Sequence, residues 1–277
     1  MMGQNRDEEL LRGLQEELQK RPELEEIIRL HQELIRARAE VEPEGPQLKP
    51  DQREVEKLTD RRVPLLRRWE PQWDEESFIR LSAQICDIGA RYRKELASQF
   101  EEIRSLLTDD PDQTRNIVTG YLREGKVELP GRPEMDQEVL SFVLNNALHP
   151  FLQAHAAVLT PLIEDEKWYQ RLCPICGGDP DFGYLEEKVG GLRLLCSRCD
   201  TVWMYKRGEC SFCGNSDQET FAYYLGDDEV YRLYVCDRCQ RYLKVKDGRQ
   251  TAGKPLLPLQ RIITIGMDVA ARQEGYR

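Results

Sequence analysis

Eight cysteines fall in four C-x-x-C pairs, Cys173/Cys176, Cys196/Cys199, Cys210/Cys213 and Cys236/Cys239. A turn of this kind aims two thiolates at one point, while backbone N–H groups along the turn stabilise their charge. Two such turns supply the four sulfurs of a tetrahedral metal site. Soft thiolates select zinc or iron over magnesium or calcium. Taken in order, the pairs read C-x2-C-x19-C-x2-C and then C-x2-C-x22-C-x2-C. The first spacer lies within the range of about 15–20 found in ribbon-type sites, and the second lies just beyond it. The expectation is two four-thiolate metal ions, iron or zinc, with consecutive pairing favoured over interleaved pairing. Four sulfurs close the coordination sphere and leave no position for a catalytic water.

The region is an internal duplication. Each unit opens with CxxCG, as CPICG and CSFCG, and each runs a strand into a second pair, as LRLLCSRC and LYVCDRC. Tandem pairs argue against a thioredoxin-type redox motif, which needs a βαβ setting. They also argue against a disulfide framework in a chain this long. Cys86 stands apart, beside an apolar helical face, and reads as a small buried hydrophobe. His31 reads as a solvated residue of a charged helix. His149 and His155, near Pro150, read as packing or capping residues in preference to partner contacts. Gly248 to Lys254 spells GxxxxGK after a possible strand, but Pro255 replaces the hydroxyl residue that would hold magnesium. No nucleotide site is expected there. GxSxG, HExxH and GxGxxG do not occur, so no residue is assigned a catalytic or cofactor-binding role and the chain is read as a non-enzyme.

The elements that must position these cysteines follow from periodicity. Residues 1 to about 42 carry leucines and isoleucines at helical spacing, in two pieces parted near Pro22. Residues 43–64 hold four prolines and few large apolar side chains, which predicts an irregular linker. A helix is expected from Asp74 to about Leu107, with Phe78, Leu81, Ile85 and Ile88 on one face and Asp74 or Ser77 as its cap. A shorter one spans Pro111 to Leu122. Another runs from about Met135 to Trp168, kinked or split at Pro150 and Pro161. Past Trp168 come glycines, aromatics and β-branched residues in short strand-like runs around the cysteine pairs. The tail predicts a final helix from about Leu259. The domain expectation is a helical domain over 1–169, a first metal module over 170–204, a second over 205–250, and a tail over 251–277.

Charge narrows the class. The chain has 277 residues, 40 basic against 50 acidic, and a net charge of −10. Between Cys173 and Cys239 seven basic residues face twelve acidic ones, before thiolates are counted. That balance disfavours nucleic acid and anionic membrane surfaces. No apolar run approaches the roughly 18–20 residues of a membrane span. The opening MMGQNRDEELLRGLQEEL lacks the apolar stretch of a signal peptide, which makes a cytoplasmic address the expectation.

Taken together the motifs resemble the family of formate dehydrogenase accessory (formation) proteins, FdhE. The residues that carry the resemblance are Cys173-Pro-Ile-Cys-Gly-Gly-Asp-Pro180, Gly191-Leu-Arg-Leu-Leu-Cys-Ser-Arg-Cys199, Trp203, Arg207, Cys210-Ser-Phe-Cys213 and Tyr231-Arg-Leu-Tyr-Val-Cys-Asp-Arg-Cys-Gln-Arg-Tyr-Leu-Lys244. The helical part and Asp268 to Tyr276 resemble the family more loosely. The resemblance implies an α+β chain: an N-terminal all-helical bundle followed by two tandem rubredoxin-like (zinc-ribbon-like) four-cysteine modules. It implies that Cys173, Cys176, Cys196, Cys199, Cys210, Cys213, Cys236 and Cys239 are the metal ligands. It further implies a cytoplasmic maturation chaperone that binds the catalytic subunit of the molybdenum- or tungsten-containing formate dehydrogenase. Two other classes stay open: a zinc-ribbon nucleic-acid-binding module, and a rubredoxin-like electron-transfer protein. The oligomeric state stays open, with a homodimer through the charged N-terminal helices one option.

Overall fold

The computed structural model describes residues 2–43, 50–125, 127, 129, 135–188, 190–226, 229–251 and 253–277. In chain order the helices are α1 (Met2–Lys20), α2 (Glu25–Ala39), α3 (Gln52–Asp60), α4 (Glu75–Tyr92), α5 (Ala97–Thr108), α6 (Pro111–Glu124), α7 (Gln137–Leu159) and α8 (Asp165–Trp168). Strands β1 (Pro180–Leu185), β2 (Leu192–Cys196), β3 (Val202–Tyr205), β4 (Phe221–Leu225), β5 (Tyr231–Cys236) and β6 (Arg241–Asp247) follow, and then α9 (Leu257–Ile263) and α10 (Ile265–Gln273). Among the described residues no helix is long and apolar enough to cross a membrane. The chain forms two compact units, Met1–Lys49 with Leu66–Leu159, and Pro50–Leu65 with Thr160–Arg277.

The first unit is all helix. Its core gathers Leu14, Ile28, Leu34, Ile35, Phe78, Leu81, Ile85 and Phe151, all essentially inaccessible; burying each such side chain contributes about 1.5–3 kcal/mol. α4 packs against α2, α5 and α7. Its start is capped by Asp74, whose carboxylate accepts the Ser77 N–H at 2.8 Å, as the cap reading anticipates.

The helix expected to run unbroken to Leu107 is instead two helices, parted at Arg93 with φ −125° and ψ 70°. One straight helix over that stretch would spread its apolar stripe over about 50 Å. Folded back, the stripe closes on itself at Gly89, where a Cβ would stand 2.4 Å from the Phe100 ring. α6 starts on Asp110, whose carboxylate accepts the N–H groups of Asp112 and Gln113, and ends on Gly125 at φ +80°. α7 runs through Pro150 without a break, although the proline denies the Asn146 carbonyl its helical donor. The separation comes at Thr160–Leu162, around Pro161.

The second unit holds the sheet. Its strand order is β3-β2-β1-β6-β5-β4, antiparallel throughout except that β1 and β6 run parallel, Phe182 opposite Lys244 and Leu185 opposite Asp247. Two three-stranded meanders therefore join into one sheet. Gly183 lets them close up, since a Cβ there would sit 3.0 Å from a Val245 methyl. α9 packs on β1 and α10 on β6, and Leu257 of α9 joins Phe182, Tyr184, Leu195 and Tyr231 in one buried cluster. The tail helix expected from Leu259 is thus a pair that lies on the sheet.

The stretch 43–64, expected as irregular linker, contains α3. Residues 44–49 lie outside the described residues, but Asp51 caps α3 by accepting the Arg53 N–H. Val55 and Thr59 are buried, and the helix packs on α8. Nine residues with two inward side chains, one of them polar, are too little apolar content to register as a period. Leu65 then donates its N–H to the Pro174 carbonyl at 2.9 Å, inside the first cysteine turn.

Candidate metal centres

Each C-x-x-C pair closes in the same way. Cys173 donates its N–H to the Gly178 carbonyl at 2.9 Å, and Gly177 donates back to the Cys173 carbonyl at 3.0 Å. Cys210 repeats this with Asn215 at 2.8 Å, and Gly214 with Cys210 at 2.9 Å. Both glycines have φ +72°, a left-handed conformation that costs glycine little. The second pair of each unit sits where a strand ends, at Cys196 of β2 and Cys236 of β5. There the left-handed residues are Asp200 at φ +56° and Gln240 at φ +55°.

The turns bring the sulfurs together in consecutive pairs. In the first group Cys173 Sγ lies 3.6 Å from Cys199 Sγ, and Cys176 Sγ 3.4 Å from Cys196 Sγ. In the second, Cys210–Cys239 and Cys213–Cys236 are both 3.7 Å apart. Within each group the four sulfurs lie within 4.8 Å of one another. A tetrahedron with metal–sulfur bonds of about 2.3 Å has edges of about 3.8 Å, whereas a disulfide would bring two sulfurs to about 2.05 Å. The donor set and its spacing fit a four-thiolate ion, and both groups can hold one.

Backbone N–H groups point at these sulfurs. Gly178 donates to Cys176, Arg198 to Cys196 and Phe212 to Cys210, each at 3.4 Å. Thr201 Oγ1 lies 3.1 Å from Cys199 Sγ, and the Asn215 amide donates to Cys236 Sγ at 3.5 Å. Without a cation, burial pushes the Cys173 and Cys210 thiols up. At Cys236 burial also opposes charge, but the Cys239 N–H and the Asn215 amide win and bring the thiol down to about 7. A bound divalent ion supplies the charge that four gathered thiolates need.

Charged groups brace the first group's second turn. Arg261 of α9 pairs with Asp200 at 3.1 Å and with Asp181 of β1 at 3.2 Å. Beside them Lys244 donates to the Arg261 carbonyl at 2.8 Å and to Asp268; its burial pulls its pKa down despite Asp268. The sequence alone does not pair Arg261 with Asp181 or Asp200. The available signal was positional: Asp200 and Gln240 follow their cysteine pairs as Gly177 and Gly214 follow theirs.

The other singled-out residues have structural roles. Cys86 is 2% exposed, and burial pushes its thiol up to about 12. His155 is buried and takes the Gln72 N–H on Nε2 at 3.1 Å, while Nδ1 stands 2.8 Å from the Phe151 carbonyl. One neutral tautomer satisfies both contacts. His149 is buried, and His31 is half-buried instead of fully solvated. Gly248 of the GxxxxGK stretch is glycine for packing: a Cβ would meet Tyr184 Oη at 2.4 Å and the Leu185 carbonyl at 2.5 Å.

No family model matches the chain. A protein of Aquifex aeolicus (strain VF5) named Protein FdhE homolog is 25% identical over 230 residues, covering 82% of this chain and 76% of that one. A protein of the same name from Shewanella oneidensis is 36% identical over 147 residues, 52% of this chain and 46% of its own length. This chain thus matches less than half of the Shewanella protein. The crystal structure of the FdhE protein from Pseudomonas aeruginosa shares the fold, with a TM-score of 0.59, 21% identity and coverage of 98% of this chain and 91% of that one. Likeness along most of the sequence, together with the shared fold, makes this chain similar to the proteins named FdhE.

Proposed function

We propose that this chain is a cytoplasmic, non-enzymatic accessory protein. It binds the catalytic subunit of a molybdenum- or tungsten-containing formate dehydrogenase while that subunit matures. Cys173, Cys176, Cys196 and Cys199 hold one metal ion, iron or zinc, and Cys210, Cys213, Cys236 and Cys239 hold a second. The helical domain over 1–169 offers client contacts, and the modules over 170–204 and 205–250 carry the metals.

The observation that carries this reading is the pair of four-sulfur groups in a chain with FdhE relatives. Four protein ligands fill a tetrahedral sphere, so the chemistry offered is cross-linking of the fold, plus one-electron change if the ion is iron. The turns hold eight thiolates at one spacing, the N–H groups stabilise them, and the Arg261 pairs fix the first site's outer turn.

The test is capture of immature formate dehydrogenase from native cells by the tagged full chain, prepared without oxygen. Association that is lost when the cysteines are replaced supports the reading, and no association with the cysteines intact contradicts it. A second reading, electron transfer, draws on the half-buried Cys213 and Cys239. Reversible reduction of an iron-loaded chain by a partner reductase would favour it.

A further inference from the structure

The sheet consists of one meander repeated, and the repeat leaves one place unfilled. β1 and β4 hold equivalent positions, as do β3 and β6. The turns after them correspond: Glu186 donates its N–H to the Gly191 carbonyl at 2.9 Å, and Gly226 to the Tyr231 carbonyl at 2.8 Å. The outer edge of β1 receives β6 in parallel. The same edge of β4 ends the sheet, and no strand pairs with it among the described residues.

That edge is built like a receiving one. Antiparallel ladders alternate the direction of their backbone groups. Counting back from Gly226, whose N–H faces β5, leaves the N–H and C=O groups of Leu225 and Tyr223 directed outward. Tyr223 is 48% exposed, Tyr224 60% and Leu225 52%, a run of apolar surface on an open strand edge. Tyr223 packs on Tyr234, with ring centroids 5.4 Å apart, so its ring lies over the sheet and not across the edge. Proteins usually blunt such an edge with charge, proline or a cover.

The opposite edge shows the contrast. Along β3 the Met204 N–H is taken by Asp165 of α8 at 2.9 Å, and Asp165 also pairs with Arg193. A second copy of this chain would continue the repeat by offering β3, the counterpart of β6, but α8 covers β3. Pairing β4 antiparallel with another β4 would set exposed Asp217 and Glu219 near exposed Glu229, acid against acid.

β6 itself shows what the place accepts. It reads Arg241-Tyr-Leu-Lys-Val-Lys246, a mixture of basic and apolar residues, and Arg241 pairs with Asp179, just before β1, at 2.8 Å. Asp217 and Glu219 stand exposed at the corresponding corner of β4. We propose that the outer edge of β4 is a docking edge for an extended basic–apolar segment of a partner protein, added parallel to β4 as β6 is added to β1. This rests on the reading that the protein works by binding a client, and it names the part of the client taken.

The test is fluorescence anisotropy on the metal-loaded full chain with a labelled peptide of sequence RYLKVKSG. Controls are the same peptide with glutamate for each basic residue, and one N-methylated on alternate amides. Saturable binding of the basic peptide, weakened by about tenfold or more in both controls, supports the proposal. Leu225→Pro removes an outward N–H without touching the ladder to β5 and should abolish binding while circular dichroism is unchanged. If that variant misfolds, the methylated peptide still decides. Equal binding of all three peptides, or none, overturns the proposal. So does a homodimer in sedimentation that Leu225→Pro breaks, because a second copy then owns the edge. Client capture separates the two readings. Capture by both wild type and Leu225→Pro sinks the edge and spares the client, whereas peptide binding without capture does the reverse.

Discussion

The two four-cysteine groups come from one repeated unit, yet their surroundings differ. All four sulfurs of the first are buried, whereas Cys213 and Cys239 of the second are half-buried. Around the first, Trp168 and Trp203 are each 1% exposed, with indole N–H groups donated to the Leu172 and Gln170 carbonyls at 2.7 and 2.8 Å. Leu65 reaches in to Pro174, and Arg261 holds Asp200. The second group has lighter support. Arg241 lies 3.7 Å over the Phe212 ring, and the Tyr276 hydroxyl donates to Asp237 at 2.6 Å. Identical sets of four thiols thus sit in one group walled by the core and another at the rim. The metals should differ in how tightly they are tied to folding, even with the same four donors.

Removing a ligand should break the comparison most visibly. Cys196→Ser is expected to lose the first metal and lower the melting temperature of the sheet-bearing unit by about 10 °C or more, because a structural thiolate site contributes folding energy. Cys239→Ser should lose the second metal with about half that fall. Thermal unfolding followed by circular dichroism, with metal analysis of each variant, checks both. Equal falls would mean that burial does not set the difference.

Chelation should sharpen it. With a chromogenic chelator in excess, release is expected in two phases, the second group's metal leaving about tenfold faster because its turns open locally. In Cys239→Ser only the slow phase should remain.

The braces come next. Arg261→Met leaves Asp200 and Asp181 without their cation and should cost about 3 kcal/mol, speeding release from the first group alone. Tyr276→Phe removes a hydrogen bond at the rim and should cost about 0.5–1 kcal/mol, acting on the second group alone. Denaturant unfolding gives the energies, and crossed effects on release would contradict the pairing of brace with site.

The helical unit supplies a reference without cysteine pairs, and the smallest effect. Burial lowers the His155 pKa below its usual 6.5, so the folded state binds fewer protons than the unfolded one. Stability is then highest above the unfolded pKa and falls as pH drops from about 6.5 towards the folded value. Following that unit by helical signal in wild type and His155→Gln checks the sign; the variant should lose the dependence.

Much of this was readable from residue types and spacing, for physical reasons that can be named. The cysteine pairs were legible because four-thiolate geometry constrains both type and spacing, whereas the repeat favoured consecutive grouping without excluding interleaved pairing. Helices with a full apolar face, such as the one holding Phe78, Leu81 and Ile85, were legible by period. The break at Arg93 was not, because the apolar period continues across it and only the closure of Gly89 on Phe100 reveals the turn. α3 was hidden among prolines. The single sheet was hidden too: the repeat shows two meanders, but nothing local in β1 or β6 says that they pair in parallel. Arg261 escaped because its partners Asp181 and Asp200 lie far off in sequence and meet it only once the tail helices cover the sheet.

Native mass spectrometry of the full chain, purified without oxygen, tests the central claim most directly. Two metal ions per chain are expected, one lost in Cys196→Ser and the other in Cys239→Ser, with no cysteine oxidised. A mass showing no metal and the cysteines joined as disulfides would contradict it.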